Sequence, residues 1–177
     1  MWKILIFFGF LPVLGFWLAR YFLYQKTLAA VGGSDCRIST EELAKKVGYY
    51  GKVPRALQGK RSAAALAEIA ILAAYRELRT EHEKLVAMRM RADSFAQIIA
   101  PLSLLVAVFA IIVGKQALIC LTAVVIVNAA AALMKFSTRA IAVHAAAVAG
   151  ELVRRARIPR QSDESLIVTC TRAIPWK

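Results

Sequence analysis

Three strongly apolar stretches, residues 4–24, 94–114 and 116–134, constrain this chain more than any other feature. Arg20, near the end of the first, is the only charged side chain in them. An apolar run of about 20 residues, rising about 1.5 Å each, spans a hydrocarbon core of about 30 Å. The sequence therefore predicts an all-α integral membrane protein with three transmembrane helices. These are an N-terminal anchor and a tight helical hairpin turning at Gly114-Lys115. The first stretch reads as an uncleaved anchor, because Lys3 alone precedes it and its flanking charge follows it. Pro12, with Gly9 and Gly15, predicts a kink there.

With 177 residues, 59% of them hydrophobic, the chain keeps too little outside the membrane for a large independent enzyme core. The net charge of +13 is unevenly placed. Thirteen Lys and Arg fall within 26–91 and eight within 135–177, whereas Lys115 is alone between the second and third stretches. The residues flanking the spans weigh most: Arg20, Lys26, Lys84, Arg89, Arg91, Lys135 and Arg139. They orient the N-terminus outside and the C-terminus in the cytoplasm of a bacterial inner membrane. The basic excess is then the positive-inside signal plus attraction to anionic lipid headgroups, worth about 1 kcal/mol per near-surface cation. No aromatic-interleaved basic patch is read in it, so nucleic acid is not an expected partner.

The pattern divides the chain into an anchor (1–24), a basic cytoplasmic segment (25–93), the hairpin (94–134) and a basic helix and tail (135–177). Trp17, Arg20, Tyr21 and Tyr24 form an expected membrane-interface anchor, and Trp176 is a further one. Residues 31–35 read as a Gly-Gly-Ser linker. Ser39 and Glu42 make a capping-box signature for a helix over 40–47 stopped at Gly48, and 49–60 reads as loop. Over 63–90, Ile71, Tyr75, Leu78, His82 and Leu85 recur at helical spacing, predicting one long amphipathic helix. Another is expected from Met134 through Ala156, with Ile141, Val148 and Leu152 on one face. Residues 166–171 are β-rich but isolated.

Small residues predict close packing in the hairpin: Ala107, Ala110 and Gly114 on one span, Ala123 and residues 129–132 on the other. Thr122 and Asn128 are expected to help pack the helices through hydrogen bonds worth roughly 0.6 to 2 kcal/mol. Neither hairpin span holds an Asp, Glu, Lys, Arg or His, which argues against a proton relay or ion pathway there.

No catalytic, cofactor-binding or metal-binding constellation is read in the sequence. Glu81-His82-Glu83 are adjacent on a helix, point about 100° apart, and cannot converge on one ion. His82, His144 and Glu151 make the one alternative metal set. Cys36, Cys120 and Cys170 form no CxxC pair, which suits a reducing compartment rather than a disulfide framework.

The order of parts resembles the bacterial neutral zinc metallopeptidases of the YugP type. Ser62-Ala63-Ala64-Ala65-Leu66-Ala67 is similar to that family's approach to its zinc helix. The run from Arg89-Met90-Arg91 to Pro101-Leu102 is similar to its approach to the hairpin, and Met134-Lys135-Phe136-Ser137 to its exit. The resemblance covers residues 62–157. At the position of the HExxH motif this chain has Ile71-Leu72-Ala73-Ala74-Tyr75, without imidazole or carboxylate, and Lys135 and Ser137 stand where the family is acidic. The resemblance thus implies a catalytically dead relative, and no family site residue transfers. The expected function is a non-enzymatic accessory or scaffold subunit of a larger bacterial membrane complex, with other membrane subunits as partners. The alternatives are a membrane-anchored metallopeptidase with non-standard ligands, and an anionic-lipid or ribosome-docking factor.

Overall fold

A computed structural model describes residues 14–15, 17–18, 20–113, 117–158 and 160–176. Most of the expected anchor, with Gly9 and Pro12, and the turn at Gly114-Lys115 lie outside the described residues. Among those described the fold is all-α, with no strand. Six α-helices run α1 Thr40–Lys46, α2 Ala63–Glu81, α3 Glu83–Val113, α4 Ala117–Ser137, α5 Arg139–Arg155 and α6 Gln161–Ala173. Before them, Arg20–Gln25 and Leu28–Gly32 are wound as π-helix. The chain divides into two compact units: Met1–Leu18 with Ala87–Arg139, and Ala19–Val86 with Ala140–Lys177. The basic segment and the C-terminal region, separate in the sequence reading, thus belong to one folded unit.

The first unit holds most of α3 and all of α4. Two helices, over Glu83–Phe109 and Ile119–Ser137, are long and apolar enough to cross a membrane by length and composition. Their large apolar side chains point outward: Phe109 is 65% exposed, Ile112 75% and Phe136 64%. Pro101 lies inside α3 without ending it. Of the small residues, Ala129, Ala131 and Ala132 are buried, whereas Ala123 is exposed.

The second unit is built around α2. The expected narrow stripe is instead a nearly complete buried circumference: Ala63, Ala65, Leu66, Ala67, Ile69, Ala70, Ile71, Ala73, Ala74 and Leu78. Alanine explains this, because a side chain of one carbon lets neighbours approach from several sides. α1, the segment Leu28–Gly32 and α6 all pack on α2. Leu43, Leu66, Ile69 and Ile167 are fully buried, each stabilising the unit by roughly 1.5 to 3 kcal/mol relative to exposure.

Further expectations change. The long helix over 63–90 breaks at His82 (φ −129°, ψ 48°), and His82 and Leu85 are exposed rather than on a packed stripe. The supposed linker is structural. Gly32 is buried so close to its neighbours that a Cβ there would lie 3.3 Å from Ala64 Cβ, and Asp35 pairs with Ser62 in a single antiparallel bridge. Residues 166–171 are not strand-like but lie in α6, with Ile167, Cys170 and Thr171 buried, so burial against α2 overrides their β-branched preference. On α5 the buried face is Ile141, Ala142, Ala145, Ala146, Ala149, Gly150 and Val153, while Val148 and Leu152 are half-buried beside it. The helix from Met134 is also interrupted, at Thr138.

Candidate functional site: a charged clasp at the foot of an apolar hairpin

The clasp is made by Arg89, Asp93 and Lys135. Arg89 and Asp93 are four residues apart on α3, so they share a face. Arg89 Nε donates to Asp93 Oδ2 at 3.0 Å, and Arg89 Nη1 donates to the Lys135 carbonyl at 3.1 Å. Lys135 Nζ reaches Asp93 Oδ1 at 3.4 Å. Arg89 is only 3% exposed, so its charge is held almost wholly by these partners. The Lys135 carbonyl is in the last turn of α4, where carbonyls lack intrahelical donors and the helix end favours a cation. Thr138 Oγ1 and Ser137 Oγ donate to the Met134 carbonyl at 2.9 and 3.0 Å, completing this C-terminal cap.

The clasp therefore ties the start of one apolar helix to the end of the other by charge-assisted hydrogen bonds. Breaking a buried pair of this kind by removing one partner is much costlier than replacing both. The sequence carried a signal for it. Asp93 is the sole acidic residue between Glu83 and Glu151, and it stands next to the uncharged stretch.

The alternative metal set is not brought together among the described residues. His82, His144 and Glu151 are all exposed, and Glu151 pairs with Arg155 at 3.5 Å. Among the described residues no group of three or more His, Cys, Asp or Glu is placed to hold a metal ion. Asn128 Nδ2 donates to the Val124 carbonyl of its own helix at 2.8 Å, while Thr122 is buried on the same helix. Where the resemblance would put a zinc motif, Ile71 is buried and Leu72 and Tyr75 are half-buried on α2. Of the residues expected to anchor at the interface, Trp17, Arg20 and Tyr21 are exposed, and Tyr21 meets Phe22 edge-to-face at 5.3 Å between ring centroids. Trp176 lies in the 3₁₀ turn Ile174–Trp176, which packs against Arg20–Gln25 and so brings Trp176 into the neighbourhood of Tyr21 and Tyr24.

Two buried cysteines sit in the core of the second unit. Burial, with smaller contributions from Asp163, Asp35 and Cys170, pushes the Cys36 thiol up to about 11. Burial raises Cys170 in the same direction. Both are therefore thiols, poor nucleophiles at neutral pH.

One surface was missed by the sequence reading. Tyr49 and Tyr50 stand among Lys45, Lys46, Lys52, Arg55, Lys60 and Arg61, with no acidic residue between Glu42 and Glu68. This is an aromatic-interleaved basic patch, and Tyr50 within it is 88% exposed.

Comparison with known proteins finds no family model, no curated protein and no solved structure that matches this chain. None of the three links it to the YugP-type peptidases.

Proposed function

We propose that this chain is a non-catalytic accessory or scaffold subunit of a larger protein complex in the bacterial inner membrane. Its hairpin crosses the bilayer and its basic unit lies in the cytoplasm. The observation that carries the reading is the outward-facing apolar surface along α3 and α4. Ile98, Leu105 and Phe109 on one helix, and Ile126 and Leu133 on the other, are exposed over helices long enough to span hydrocarbon. In lipid, helices associate through close packing and polar contacts rather than hydrophobic burial, so such faces suit partner helices as well as acyl chains. The clasp at the hairpin foot supplies a fixed geometry from which a partner can be held. The charge placed at the polar ends of the spans supports the cytoplasmic orientation.

Native mass spectrometry of the protein extracted from its own membrane in mild detergent tests the reading. Defined co-purifying membrane subunits at fixed stoichiometry are expected. A chain that flies alone under conditions that preserve known complexes contradicts it, as does stoichiometric bound zinc.

A further inference from the structure

The basic patch over residues 45–61 is held in shape by its base. α1 starts at a capping box, in which Ser39 Oγ accepts from the Glu42 N–H and the Glu42 carboxylate accepts from the Ser39 N–H. It ends in a Schellman turn: the Tyr49 N–H donates to the Ala44 carbonyl at 2.8 Å, the Gly48 N–H to the Lys45 carbonyl at 3.3 Å, and Gly48 has φ +71°. The returning end of the loop is tied to α1. The Gly59 N–H donates to Glu41 Oε1 at 2.7 Å, Thr40 Oγ1 to the Leu57 carbonyl at 2.8 Å, and the Thr40 N–H to the Lys60 carbonyl at 3.1 Å. Glu41 is thus engaged at the loop base, and the bond from the Gly59 N–H, the largest cause, holds its pKa below the usual range.

The tip then separates its two tyrosines. Tyr49 folds over Gly51, where a Cβ would come within 2.7 Å of its ring, whereas Tyr50 projects. Lys45, Lys46, Lys52, Arg55, Lys60 and Arg61 are all exposed, and none forms an ion pair with a described residue. Six exposed cations that flank one projecting tyrosine in the sequence suit a surface of negative charge with an apolar layer just beneath it. Tyr favours that interfacial depth, and cations collect at anionic headgroups.

Resting on the membrane reading above, we propose that this loop docks onto the anionic face of the bilayer. Tyr50 sits at headgroup level and the six cations face lipid phosphates. Chain connectivity favours this occupant over nucleic acid. The unit that carries the loop runs directly into α3 and receives the chain back from α4, so a bilayer crossed by those helices is present at high effective concentration. Each cation strengthens such docking roughly fivefold, and salt weakens it.

The test uses the full chain with Tyr50→Cys, labelled with an environment-sensitive fluorophore and reconstituted in phosphatidylcholine vesicles with or without phosphatidylglycerol. The unsubstituted chain, labelled in parallel, reports any signal from Cys36, Cys120 and Cys170. A blue shift is expected in phosphatidylglycerol vesicles alone, reversed by high salt. Combining Lys45→Gln, Lys46→Gln and Lys52→Gln should lower the docked-to-free ratio roughly a hundredfold. Equal emission in the two vesicle types overturns the proposal, and so does a shift driven by added single-stranded RNA but not by phosphatidylglycerol. Alkaline extraction of the same vesicles separates the two claims. Protein retained without a shift removes only the docking, whereas protein released removes the membrane reading and the docking with it.

Discussion

The backbone N–H of Arg37 donates to Oδ2 of Asp163 at 3.0 Å, joining residues 126 positions apart. Asp163 is buried in the first turn of α6, where a carboxylate is favoured by the helix end. The bond fastens the chain entering α1 to the helix that closes the core. Asp163→Ala leaves a backbone donor without its partner and is expected to cost about 1 to 3 kcal/mol. Asp163→Asn, which keeps an acceptor oxygen, should cost less. Denaturant titration followed by circular dichroism in detergent measures both.

The clasp makes a second expectation. Asp93→Ala removes the carboxylate that faces both the buried Arg89 guanidinium and the Lys135 ammonium. The loss should reach about 2 to 3 kcal/mol, below the full cost of a buried ion because Asp93 keeps partial access to water. Arg89→Met combined with Asp93→Leu should recover much of it. A double-mutant cycle on thermal unfolding in detergent reads the coupling; additive losses would show that the two side chains act independently.

What the sequence made legible follows the range of the forces involved. Ser39, Glu42 and Gly48 act within a turn or two, and the helix they bound is where the spacing put it. The apolar runs after Ser94 and Gln116 were readable for the same reason, since length and hydropathy are local sums. The break at His82 was not readable, because the helical pattern of residue types continues through it and only the backbone dihedrals mark it. Residues 166–171 and the alanine face of α5 were misjudged because their state is set by distant partners. Val148 and Leu152 do pack against the core, half-buried, but most of the buried face beside them is alanine. Asp93 and the tyrosines at 49 and 50 were visible in the sequence. Their significance depended on Lys135 across the hairpin and on the exposure of Tyr50.

Arg157 ends α5 with φ +45°, a left-handed conformation that costs a side-chain-bearing residue roughly 1 kcal/mol. Arg157→Gly is therefore expected to stabilise the chain, by less than that amount because glycine also loosens the unfolded state. An increase in the unfolding midpoint checks it.

Cys36 gives a pH dependence with a definite sign. Its thiol is raised from 9.0 to about 11 in the folded chain, so the folded state favours the neutral form. The associated stability is complete below pH about 9 and is lost as pH rises toward about 11. Cys36→Ala should flatten the stability profile within that window and leave its slope near neutrality unchanged. Matched denaturation curves for the two proteins isolate the thiol from other groups titrating there.

The central claim is that α3 and α4 cross the membrane as a hairpin with both feet in the cytoplasm. Labelling of intact cells with a membrane-impermeant maleimide tests it most directly, using single introduced cysteines at Lys115 and Tyr50. The account expects Lys115→Cys to label from outside and Tyr50→Cys to label only after the membrane is permeabilised. Labelling of Tyr50→Cys in intact cells, or protection of Lys115→Cys until permeabilisation, would contradict it.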